Sequence, residues 1–137
     1  MAMRAIRGII KSDSGAAAIE FAVIIWALIF LCLGIIEIGR GLHVRNEMSY
    51  AADLAARRIL TFEAYSGAVL EPSAENALRL EVQQAFSGPG PEDLSVTFPL
   101  DAGGNFRVIL LSYPFSLLVP GLRDSFDLTV SRRVPIS

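Results

Sequence analysis

One carboxylate, Glu20, stands inside an otherwise apolar stretch, five residues after Gly15 and directly before the aromatic Phe21. In a membrane helix such a group is costly, by about 2.5–3.5 kcal/mol at the bilayer centre and less near an end. It therefore needs either a cationic partner or a place at the headgroup boundary, where a helix N-terminus favours negative charge. A second pair brackets the far end of the stretch. Glu37 and Arg40 are three residues apart, close enough for an ion pair on one helix surface, with contact to another subunit as the alternative. Other reactive residues are sparse. His43 is the single histidine and Cys32 the single cysteine, so these side chains offer neither a zinc site nor an intramolecular disulfide. No serine lies in a G-x-S-x-G context and no phosphate-binding loop is present. The adjacent acids Glu92 and Asp93 sit beside a Gly/Pro turn and read as solvated loop. The chemistry on offer is charge pairing and apolar packing. We expect no enzyme, no cofactor, no metal and no small-molecule substrate.

The element that must position Glu20 is the apolar stretch itself. Residues 22–36 read AVIIWALIFLCLGII, without charge or proline, and apolar character extends over 16–39. A helix needs roughly 20 apolar residues to cross a bilayer core. Residues 16–39 meet that length when the two carboxylates lie near the interfaces. A cleaved secretory signal is the first competitor, with Arg4, Arg7 and Lys11 as its basic region, but such apolar regions run to about 15 residues and no small-x-small cleavage site follows. A buried core helix is the second, but the rest of a 137-residue chain is small for wrapping a helix that is apolar all round. Basic residues lie on both sides, with Arg40, Arg45, Arg57 and Arg58 following, so charge asymmetry gives little orientation. The net charge of −2 and the lack of a basic run give no sign of nucleic-acid binding.

The junction Ser14-Gly15-Ala16-Ala17-Ala18-Ile19-Glu20-Phe21 carries the most specific signal. It resembles the processing site of type IV pilins and pseudopilins: a basic leader, glycine, four residues, glutamate, an aromatic, then an apolar helix. The match is closest to the TadE-like pseudopilins, the minor pilins of the Flp (type IVb) tight-adherence pilus system. Glu37-Ile38-Gly39-Arg40 and the Ala/Arg-rich run from Ala51 to Arg57 fit the same pattern. The resemblance covers about the first 60 residues. It implies that a prepilin peptidase cuts between Gly15 and Ala16, making Glu20 the fifth residue of the mature chain. It implies a single-pass protein of the bacterial inner membrane, N-terminus inside, with its C-terminal domain periplasmic or extracellular, either held in the membrane or carried within a pilus. Its implied partners are the membrane, the peptidase, other pilins or pseudopilins and Tad assembly proteins. Physical chemistry agrees with this reading. A cut at Gly15 frees an amine at Ala16, about one helical turn from Glu20, and the carboxylate can pair with that amine on a neighbour. Glycine also lets an extended backbone enter a protease site without side-chain clash. The alternative is an uncleaved single-pass adaptor presenting a small periplasmic domain to a partner complex.

Beyond the apolar run, Val44, Met48, Ala51, Ala55, Ile59 and Phe62 recur at spacings of three and four, the stripe of an amphipathic helix. Asp53 and Arg57 are an i,i+4 pair on another face. Residues 63–71 read as a connection. Pro72 and Ser73 start a second helix with Ala74, Leu78, Val82 and Ala85 or Phe86 on one face, ended by Gly88-Pro89-Gly90-Pro91. Strands follow at 94–98 and 106–111, joined by a turn at 101–105, and a third alternates over 126–131 and runs to Val134. The segment 113–120, bracketed by prolines, reads as irregular and strongly apolar: core, subunit contact or membrane-surface contact. The expected fold class is α+β and pilin-like: a long N-terminal helix, half transmembrane and half amphipathic, a short second helix, and a small antiparallel sheet of about three strands. The expected organisation is a cleaved leader at 1–15, a transmembrane helix at 16–39, its amphipathic continuation at 40–62, and an extracytoplasmic domain at 63–137.

Overall fold

The computed structural model describes residues 13–66, 70–118 and 125–136. It contains helix α1 (Asp13–Ser66), helix α2 (Pro72–Ala85), a single 3-10 turn (Pro91–Asp93), and strands β1 (Ser95–Thr97), β2 (Phe106–Phe115) and β3 (Phe126–Pro135). The chain divides into two units, one ending at Ile38 and the other spanning Gly39–Ser137. The fold class is the α+β arrangement expected from the sequence.

Helix α1 contains no proline, and Gly34, Gly39 and Gly41 do not break it. Each glycine weakens a helix by about 0.8–1 kcal/mol relative to alanine, a penalty the long run of Ala, Ile and Leu absorbs. The helix extends to Ser66, so residues 63–66, expected as a connection, are its last turn. Glu63 and Ala64 are good helix formers with no breaker beside them, which explains the extension. The side chain of Phe62, the last member of the expected stripe, lies outside the described residues, as do residues 67–69, 119 and 120.

In the first unit the large apolar side chains from Ile19 to Ile38, except the half-buried Leu33, are exposed around the helix, and none of its most apolar window is buried. In the second unit, helix α1 becomes one-sided. Val44, Met48, Ala51, Ala52, Ala55 and Ile59 are all buried in one core with the sheet and α2. Three of those six are alanines, which let the covering elements approach the helix axis.

The sheet order is β1-β2-β3, antiparallel throughout. Its inward face is read directly from β2, where Arg107, Ile109, Leu111, Tyr113 and Phe115 alternate as buried residues. The register places Val96, Leu111 and Val130 in one buried row across the three strands. Strand β2 runs four residues further than the alternation 106–111 predicts, through Pro114 to Phe115. Proline has no N–H for a ladder and is usually confined to edges. Here β1 pairs only as far as Ser112, so Pro114 lies where β2 has β3 as its one described neighbour. Tyr113 and Phe115, left open by the sequence, are therefore core residues.

Helix α2 starts with Pro72 at its first turn, where a missing N–H is harmless. It buries Leu78 and Val82 and ends at the buried Phe86. The Gly/Pro segment that follows depends on its glycines. A side chain at Gly88 would collide with the Phe86 ring, and Gly90 has φ +60°, a left-handed conformation that disfavours side chains. The Tyr113 hydroxyl donates to the Pro89 carbonyl, and the Tyr113 and Phe86 rings pack at 5.4 Å, tying this turn to β2.

Candidate functional site

Gly15 and Ala16 lie in the first turn of helix α1, which begins at Asp13. The candidate scissile bond is therefore helical in the uncut chain. A first turn lacks intrahelical acceptors for its N–H groups and glycine is a weak helix former, so opening it is inexpensive. Glu20 and Phe21 lie one turn further on, both exposed. The rise from Ala16 to Glu20 is about 6 Å and the two residues are neighbours on one face. Among the described residues Glu20 has no ion-pair partner, and it is flanked by exposed apolar side chains, Ile19, Val23 and Ile24 among them. A carboxylate on such a surface, if placed in lipid, finds its compensation on another molecule or at the interface.

Glu37 and Arg40 are both half-buried on successive turns of α1. The sequence spacing offers Arg40 the partner Glu37, with another subunit as the alternative, and the fold supplies a further contact. The Arg40 guanidinium lies over the Phe115 ring, 5.2 Å from its centroid, a cation–π arrangement. Phe115 also approaches the backbone at Gly41, where an added Cβ would lie 3.9 Å from the ring. No sequence signal marks this contact, because residues 40 and 115 meet only through the packing of the sheet.

Asp53 shows a similar difference. The i,i+4 spacing suggests Arg57, whereas its carboxylate accepts from Nε of Arg132 on β3 at 2.8 Å. Arg132 shares the inward register with Val130 and Val134, so its side chain reaches the helix from the sheet. A second clasp joins α1 to α2, from Arg58 Nε to Glu81 at 2.8 Å. Both pairs are exposed and are worth about 0–1 kcal/mol each. They bear on register more than on stability. Arg107, buried on the inward face of β2, donates from Nη1 to the Phe98 carbonyl at 3.2 Å.

Tyr113 lies on the buried face of β2 beside the Gly/Pro turn. Its phenol is pushed above the ordinary tyrosine value by burial first, then by the Asp93 and Glu92 carboxylates, with Arg40 opposing. It stays protonated and serves as a donor. Among the described residues no three His, Cys, Asp or Glu side chains gather as metal ligands.

A long apolar helix running into a second helix and a three-stranded antiparallel sheet is a pilin-like arrangement. Residues 15–57 match the family model described as TadE-like protein, and over this segment the chain resembles that family. The match begins at Gly15 and takes in Glu20, Phe21, Glu37 and Arg40. Searches of curated proteins and of solved structures give no match to this chain. The TadE-like family is a pilin family of the Tad pilus and is in general non-enzymatic, and helix α1 is long and apolar enough to cross a membrane.

Proposed function

We propose that this protein is a minor pilin or pseudopilin that acts structurally in Tad (Flp) pilus assembly, with no catalytic role of its own. It crosses the inner membrane once through residues 16–39, N-terminus inside, and holds its α+β domain on the outer side. A prepilin peptidase removes residues 1–15. The new amine of Ala16 on one molecule then meets Glu20 of a neighbouring pilin, and Phe21 packs beside them. Glu37 and Arg40 hold the far boundary of the span. The partners are the peptidase, other pilins or pseudopilins and Tad assembly proteins.

One observation carries this reading. The TadE-like segment begins at Gly15, and one turn into the apolar run that follows stands Glu20, which has no ion-pair partner among the described residues. An isolated span can hold that charge only at the headgroup boundary. An assembly of processed helices supplies a cation at the required place.

The test is the intact mass and N-terminal sequence of the chain from membranes, with and without a co-expressed prepilin peptidase. The expected result is a peptidase-dependent start at Ala16, abolished by Gly15→Leu. Glu20→Ala should still be cut yet fail to enter the assembled fraction. A full-length chain under both conditions would refute processing and leave an uncleaved adaptor. A start beyond Gly39 would instead mean a secreted domain.

A further inference from the structure

The second unit has two very different ends. Strand β2 spans it from Phe106 to Phe115, about 30 Å at strand rise. The Phe115 end is fastened to the start of the unit, with Arg40 stacked on the Phe115 ring and Gly41 against it. Residues 40 and 41 are the first to follow the apolar run, so whatever packs on them lies at the level where the chain leaves the lipid. At the same end Phe126 pairs with Phe115, their rings 5.4 Å apart, and is 38% exposed. Leu118, three residues past Phe115, is 57% exposed. Leu42, on the helix beside Gly41, is exposed as well.

Large apolar groups gathered at one end of a small domain, with an arginine on an aromatic ring among them, have the composition of a bilayer interface. Core packing, another use of segment 113–120, is already met by Tyr113 and Phe115.

We propose that the Phe115 end of the sheet is a membrane seat, at which Leu118 and Phe126 insert into the headgroup and upper acyl region of the leaflet from which the helix emerges. The partner is the lipid surface itself. The seat rests on the reading that residues 16–39 span a bilayer.

The test places an environment-sensitive nitrobenzoxadiazole label on the full chain, in a Cys32→Ala background, at Leu118→Cys, Ile29→Cys and Leu100→Cys in turn. Leu100 is exposed and bridges to Arg107, near the opposite end of β2. Each protein is reconstituted in phosphatidylethanolamine and phosphatidylglycerol vesicles containing lipid with a doxyl quencher near the top of the acyl chain or, for position 29, near the end of the chain at the bilayer centre. Phe126→Cys serves as a second site in the seat. The expected result is strong quenching with blue-shifted emission at 118, 126 and 29, and neither change at 100. Quenching at 29 without quenching at 118 and 126 would overturn the seat and leave the span intact. Equal quenching at 100 and 118 would overturn the assignment of lipid contact to the Phe115 end. No quenching at 29 would remove the span, and the seat with it.

Discussion

Replacing Met48 by alanine tests the central packing of this fold most sharply. Met48 is 0% exposed, one of the largest fully buried side chains, on the face of α1 that also buries Val44, Ala51, Ala52, Ala55 and Ile59. Tyr50, two residues on along the same helix, is 64% exposed. Truncating a buried methionine to alanine costs about 2–5 kcal/mol, through lost burial and the cavity left behind. A unit of this size has a stability of about 5–15 kcal/mol. Met48→Ala should therefore remove a large fraction of it and lower the unfolding midpoint of the domain by about 10–30 °C. Tyr50→Ala should stay within about 0.5 kcal/mol of the parent. Alanine is the better helix former in both cases, so neither variant weakens the helix itself. Far-UV circular dichroism is a poor readout, since a helix of 54 residues dominates it. Hydrogen exchange by mass spectrometry is suitable, on the full chain in nanodiscs across a urea series and reading peptides from β2. Equal losses of protection for the two variants, or none for Met48→Ala, would refute the assignment of the buried face and with it the docking of the sheet on α1.

Two further predictions concern the Gly/Pro turn and its tie to β2. Tyr113→Phe removes the donor to the Pro89 carbonyl and should cost about 0.5–1.5 kcal/mol near neutral pH. Because the folded state raises the Tyr113 pKa, the parent keeps this contribution below the ordinary tyrosine value near 10 and loses stability as pH rises through the raised folded value. The phenylalanine variant should lack that part of the alkaline decline in a urea midpoint series, and an unchanged decline would refute the assignment. Gly88→Ala drives a methyl into the Phe86 ring and should destabilise the domain by about 1–3 kcal/mol in the same assay, whereas an unaltered midpoint would show that the ring can move aside.

Much of this fold is legible in the chain because its signals are local. The apolar run from 22 to 36, the three-and-four spacing from Val44 to Ile59, Pro72 opening α2, Gly88-Pro89-Gly90-Pro91 closing it, and the alternation in all three strands each act within a few residues. The junction at Gly15, Glu20 and Phe21 is equally local, and the family match begins there. Misread boundaries fall where a local rule yields to context. Pro114 looks like a strand breaker, yet it is tolerated because β1 has ended beside it. Residues 63–66 look like a linker, yet they complete a helix that contains nothing to stop it.

By itself the sequence determined that one helix is apolar enough to cross a membrane, that its continuation has a single buried stripe, and that a small sheet lies behind it. It also placed a lone carboxylate one turn from a candidate cut. Only the tertiary structure decided that Arg40 stacks on Phe115, that Asp53 takes Arg132 from β3 in place of Arg57, and that Leu118 and Phe126 share the end of the sheet that adjoins the start of the domain. The physical reason is sequence separation. Periodicity reports which face of an element is buried, but a pairing between residues 40 and 115 or 53 and 132 depends on strand register and on how the sheet lies across the helix, and no neighbouring residue encodes either.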